Sequence, residues 1–132
     1  MSQENVETLR RAYDAYNRGD LKAFADLLDP DVTWQPDPNW PEVQARSGRQ
    51  EVLQLLADIR EPLDRNEAAP EKLVDAGDRV VALHVWRGVL KGTEAEVEGR
   101  LGAMVTLRAG RLVDVRFFET YDEALEAAGL TE

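Results

Sequence analysis

Residues 71–89 read EKLVDAGDRVVALHVWRGV. The β-branched and aromatic residues of this stretch repeat with period two, and Ala76-Gly77-Asp78 interrupts them with turn-forming types, so the spacing predicts two strands joined by a tight turn. Upstream of Pro62 the rhythm is different. Val6, Leu9, Ala12, Tyr13 and Tyr16 recur at helical spacing, with Ser2 placed to cap the start and Gly19 just past the end. Asp20 caps a second, short helix with Leu21, Phe24, Leu27 and Leu28 inward, stopped at Asp29-Pro30. Val32, Trp34 and Pro36 alternate with Thr33 and Gln35 as a strand, and residues 37–48 (DPNWPEVQARSG) form a loop. Ser47 and Gln50 then make a capping box for a third helix through Val52, Leu53, Leu56 and Ile59.

Downstream, Lys91-Gly92 marks a turn, a long strand runs through residues 96–108 (EVEGRLGAMVTLR), and Ala109-Gly110 turns it into a last strand. A terminal helix, DEALEAAGL, stops at Gly129. Helices first and an antiparallel meander afterwards define an α+β fold, with helices covering one face of a curved sheet. The 132 residues fit a single domain spanning residues 1–132, large enough to bury a core without metals or disulfides.

Composition excludes several classes of function. With no cysteine there is no disulfide, thiolate metal site or cysteine nucleophile, and a lone histidine rules out a histidine cage. A net charge of −10 opposes nucleic acid and anionic membranes. No apolar run approaches the roughly 20 residues of a spanning helix. The amphipathic start, MSQENVETLRRAYDAY, does not resemble a signal peptide, which makes the cytoplasm the expected compartment. No phosphate loop, dinucleotide or flavin fingerprint, or nucleophilic serine motif occurs, so no cofactor and no metal are expected.

The order of AYNRGDLKAFADLLDPDVTW (residues 15–34), GRQEVL (48–53) and TLRAGRLVDVRFFETYDEALEAAGL (106–130) resembles the SnoaL-like group. That group belongs to the nuclear transport factor two-like superfamily, which also holds ketosteroid isomerase. The resemblance covers essentially the whole chain and implies a conical barrel: a strongly curved antiparallel sheet wrapped on a long helix around one central, mostly apolar pocket. It also implies a homodimer joined through the outer face of the sheet. Ketosteroid isomerase uses an aspartate base opposed by a tyrosine and a neutral aspartic acid. Alignment by the NRGD and TLRAG motifs puts Pro36, Ala12 and Ala103 at those three places, so the isomerase machinery is not copied here.

The same alignments turn Trp34 and Pro36, then Ala82, His84 and Trp86, then Leu101, Ala103 and Val105, and finally Val115, Phe117 and Glu119 toward the pocket. Tyr13 or Tyr16 reaches in from the first helix, and Trp40 covers the mouth from the proline-rich loop. Tyr13, Tyr16, Trp34, Trp40, Trp86, Ala103 and Phe117 are the expected ligand-binding residues. His84 and Glu119 form the candidate catalytic pair, two strands apart, with a substrate or water between them. Burial would raise the glutamate's pKa toward neutrality. The chemistry permitted is cofactor-free proton abstraction beside a carbonyl, as in an isomerase, a dehydratase or a polyketide cyclase.

Each nomination has a plainer counterpart. Glu119 reads equally as a strand-end carboxylate in water, and His84 as a core histidine with a satisfied hydrogen bond. If the row Val81, Leu83, Val85 faces the helices instead, His84 and Trp86 lie outside. Asp37 suits turn chemistry, the carboxylates of TEAEVE (93–98) a solvated edge, and Arg100, Met104, Arg116 and Phe118 an outer-face dimer contact. Three functions therefore stand side by side: a small acid/base enzyme, a non-catalytic binding protein for a small hydrophobic ligand, and an accessory dimerisation domain. A cavity with an isolated titratable group favours the first, a purely aromatic cavity the second, and a filled interior the third.

Overall fold

The change of period at Pro62 marks the boundary between helices and meander in the computed structural model, which describes residues 2–36, 38 and 44–130. Its elements run α1 (Ser2–Asn17), α2 (Leu21–Asp26), β1 (Leu28–Gln35), β2 (Arg46–Ser47), α3 (Arg49–Arg60), β3 (Leu63–Asp75), β4 (Arg79–Leu90), β5 (Glu96–Arg108), β6 (Arg111–Phe118) and α4 (Tyr121–Ala127). The six strands form one curved, open sheet in the order β2-β1-β6-β5-β4-β3. The architecture is α+β, with α1–α3 on the concave face.

β3 to β6 are an antiparallel meander, but β1 pairs with β6 in parallel, Trp34 opposite Val115, which corrects the all-antiparallel expectation. A parallel neighbour needs a long crossover, and here the crossover comprises α3 and the meander itself. The helix expected to include Leu27 and Leu28 also ends sooner. α2 stops at Asp26, and Leu28 opens β1, fully buried opposite Leu112. Pro30 biases the residue before it away from helical backbone, and the Leu112 N–H donates to the Leu27 carbonyl at 2.8 Å, drawing the chain into the sheet. Ser47 is not the cap of α3. It is spent on the two-residue β2, opposite Thr33, and Gly48 caps the helix at φ 94°, a backbone conformation that favours glycine. The meander starts earlier than its apolar residues suggest, at Leu63, because β3 is an edge strand and tolerates Pro70 in its interior.

That edge is partly closed by a side chain. The Asn17 carboxamide accepts from the Ala68 N–H at 2.8 Å and donates to its carbonyl at 2.7 Å, imitating a neighbouring strand where α1 ends. The main core lies between α1–α3 and the concave face, built on Leu9, Phe24, Leu28, Val32, Val52, Leu56, Val80, Val105 and Val115. Burying each of these side chains contributes about 1.5–3 kcal/mol relative to leaving it exposed.

The outer face differs from expectation as well. Met104 is buried with Val81 beneath Ala124 and Leu125 of α4, and Phe118, Tyr121 and Leu130 pack around them. Thr120 and Glu123 form a reciprocal capping box at the start of α4. Gly102 makes this docking possible: a Cβ there would lie 2.2 Å from the Thr120 carbonyl oxygen. Two of the four residues expected to meet a second copy, Met104 and Phe118, are thus occupied by the chain's own last helix. Among the described residues no helix is long and apolar enough to cross a membrane.

Candidate functional site

Strand parity and helix periodicity converge on one space. On α1, Leu9, Ala12, Tyr13 and Tyr16 share the face turned to the sheet. On β4 the row Val80, Ala82, His84, Trp86 faces inward, and Val81 packs outward against α4. This decides between the two rows that the sequence leaves open. Between helix and sheet lies a cavity of about 350 Å³, within the range of small-molecule sites. It stays open because the facing positions Ala12, Ala68, Ala103 and Pro36 are small or lack reach, while Trp34, Trp86, Phe117, Tyr13, Tyr16 and Phe24 form walls.

The polar equipment of the cavity is sparse. The Tyr13 hydroxyl and His84 Nδ1 are 2.7 Å apart, and the two rings are 5.5 Å apart centre to centre. His84 meets Phe117 edge-on at 5.0 Å, and Phe117 meets Trp34 at 5.8 Å. His84 and Phe117 touch across β5 because Ala103, paired with Phe117, has no bulk to separate them. A second polar station lies one helical turn along α1, where Asn66 Nδ2 donates to the Tyr16 hydroxyl at 2.6 Å. The Arg60 guanidinium stands 4.8 Å from the centre of the Tyr16 ring, and its Nη1 donates to the Tyr16 carbonyl.

Burial sets the charge of this site. It pushes the His84 imidazole down to about 4 and the Tyr13 phenol well above its ordinary value. Burial also raises Tyr16, with the Asn66 hydrogen bond and Arg60 acting in the opposite direction. The Tyr13–His84 pair is therefore neutral around pH 7. Its shared proton has two settings: the phenol donates to Nδ1 and Nε2 carries a hydrogen, or Nδ1–H donates to the phenol oxygen and Nε2 is a free acceptor. Among the described residues nothing bonds Nε2. The pair can thus offer a bound molecule either a donor or an acceptor.

Of the residues singled out in the sequence, Tyr13, Tyr16, Trp34, His84, Trp86, Ala103 and Phe117 all line the cavity. Glu119 does not. β6 ends at Phe118, whose partner is Gly102, and the backbone then turns into Thr120, the cap of α4, leaving Glu119 exposed. Parity holds only while a strand continues, so the imagined His84–Glu119 pair is replaced by His84–Tyr13. Trp40 and Asp37 lie outside the described residues. Asn66 also lines the cavity, but a bulge between Pro70 and Lys72 shifts the register of β3, so alternation counted back from Leu73 does not lead to it. No carboxylate is among the described lining residues, and no cluster of three or more His, Asp or Glu among them could hold a metal.

The model of the SnoaL-like domain matches residues 9–115. The chain belongs to that family. An NTF2-like protein of unknown function from Burkholderia pseudomallei has 22% identity to this SnoaL-like chain and a TM-score of 0.75, covering 93% of it and 95% of the neighbour. A protein with the ketosteroid isomerase-like fold from Catenulispora acidiphila, solved with trimethylamine, gives 18%, 0.74, 95% and 94% for the same four quantities. A candidate SnoaL-like polyketide cyclase from Jannaschia sp. CCS1 gives 23%, 0.73, 89% and 85%. At these identities the likeness establishes the fold of the SnoaL-like chain and nothing about its ligand. No curated protein matches the sequence.

Proposed function

We propose that this SnoaL-like protein binds a small, uncharged, largely apolar molecule in the cavity and orients it through one polar group held at His84 Nε2. The observation that carries this reading is the neutral Tyr13–His84 pair, set in a wall that is otherwise aromatic and aliphatic. An apolar cavity rewards an apolar body, and a charge placed there without a partner costs far more than a neutral hydrogen-bonding group.

A second reading, cofactor-free proton transfer beside a carbonyl, is favoured by one feature. An imidazole oriented at Nδ1 with Nε2 facing substrate is the arrangement of a general base. In that case Nδ1–H donates to Tyr13, and Nε2 takes the proton from the carbon next to the carbonyl. The depressed basicity of His84 makes this the weaker of the two readings.

Calorimetric titration with acetonaphthone and with naphthoate tests the first reading. The neutral ketone is expected to bind, and the carboxylate at least about tenfold more weakly, a difference of roughly 1.4 kcal/mol. Equal affinity for both, or no binding of either, would overturn it. Deuterium exchange into the ketone's methyl group, followed by NMR, tests the second, which requires enzyme-dependent exchange that His84→Gln abolishes. As assembly we propose a homodimer through the part of the outer face that α4 leaves uncovered. That surface carries Glu71, Arg87, Glu98 and Arg100, with Arg87 bonded to Glu98 and Arg100 to Glu71 at 2.8 Å each.

A further inference from the structure

Trp86 on β4 is directly opposite Gly99 on β5, and both positions face the cavity side of the sheet. A Cβ built on Gly99 would lie 2.2 Å from Trp86 Nε1 and 2.6 Å from Cε2. Real Cβ atoms do not approach that closely, and the obstruction is the rigid ring itself, not the tip of a flexible chain. The indole therefore lies flat across the Gly99 backbone, in a slot that exists only because this position has no side chain. Neighbours in the same row, Val97 and Leu101, do have side chains and line the cavity beside it.

We infer that Gly99 is a positioning residue for Trp86, and that the indole pose it permits fixes the length of molecule the cavity accepts. This rests on the ligand-binding reading above but adds a determinant of specificity to it. With Gly99 in place the ring lies against the sheet and the cavity keeps its depth. With any side chain at position 99 the ring must leave the sheet surface, and the space open to it is the cavity.

The test is a double-mutant cycle read with a series of neutral ketones of one, two and three fused rings: acetophenone, acetonaphthone and acetylphenanthrene. Gly99→Ala should weaken acetonaphthone by about tenfold or more while acetophenone changes little, the size of effect that a misfit of one or two carbons produces. Trp86→Leu should improve acetylphenanthrene relative to the parent. In the Trp86→Leu background, Gly99→Ala should have no further effect on any of the three. A Gly99→Ala penalty that persists without the indole would mean a general strand defect and would overturn the inference.

Folding and ligand questions separate cleanly. If Gly99→Ala alone fails to fold, the double variant must recover folding, and its failure to do so would overturn the inference. Independently of any ligand, the indole N–H resonance that vanishes in Trp86→Leu should shift in Gly99→Ala while the other tryptophans stay in place. A shifted resonance with no ketone binding anywhere would retire the ligand reading and leave the Gly99–Trp86 contact standing. An unmoved resonance would overturn the contact itself.

Discussion

His84 shows how a residue's meaning is set by its surroundings rather than by its type. In water its imidazole would share charge and neutrality near pH 6.5; in the cavity burial holds it neutral down to about 4. The sign of the resulting linkage follows directly. Above about pH 6.5 the imidazole is neutral in both folded and unfolded chains and contributes nothing to the pH dependence. As pH falls toward 4 the unfolded chain takes up a proton that the folded chain refuses, so stability is lost across that window, by on the order of 3 kcal/mol when the folded group finally titrates. Urea unfolding at pH 7 and at pH 4.5 should show a steeper loss for the parent than for His84→Gln, although the variant starts lower for want of an equivalent bond to Tyr13. Parallel losses in the two proteins would contradict the buried, neutral state.

The legibility of the site divides along the same lines. Tyr13, Tyr16, Trp34, Trp86, Ala103 and Phe117 could be nominated because each sits inside a regular element, where period 3.6 or 2 carries orientation forward. Glu119 lies one residue beyond the end of such an element, where periodicity carries no information. Asn66 lies inside one whose polar sequence hides it.

At the scale of elements, the β5–β6 hairpin is built on a compromise. Arg108 pairs with Arg111, so the loop is Ala109-Gly110, and both residues have positive φ, 53° and 76°. Such turns match the twist of the strands but are costly for alanine, which lacks the local hydrogen bond that asparagine makes in that conformation. Ala109→Asn should raise stability by about 0.5–1 kcal/mol, read as a higher urea midpoint with an unchanged slope. No gain would mean that the hairpin is held by β5 and β6 alone. The sequence exposed this turn and both flanking strands, because a hairpin is local. The β1–β6 pairing was not exposed, because neither strand holds any local sign of its distant partner. The end of α2 was lost for a related reason: Leu27 and Leu28 fit an amphipathic helix well, and only the bond from Leu112 decides otherwise.

For the whole molecule, the outer sheet face shows what assembly has to work with. α4 covers Val81 and Met104, while the region of Glu71, Arg87, Glu98 and Arg100 stays exposed with its charges balanced within one chain. Exposed pairs of this kind contribute little on their own, but opposite charges interleaved on one patch suit a two-fold contact in which the patch meets itself. Light scattering at micromolar concentration should give twice the chain mass of 14.8 kDa, and reversing Arg87 and Arg100 to glutamate should return the single-chain mass. A monomeric parent would remove the homodimer from consideration.

The parallel pairing of β1 with β6 also has a consequence in time. The hairpin of β5 and β6 closes between near neighbours in the chain, whereas the bond from Thr33 to Asp114 spans 81 residues. Closing the longer loop costs roughly 3 kcal/mol more in chain entropy than closing a three-residue one. The meander should therefore condense first, with one side of β6 bare until β1 arrives. During that interval the folding molecule presents an open strand edge that another extended segment can join, a hazard that ends when its own first strand pairs.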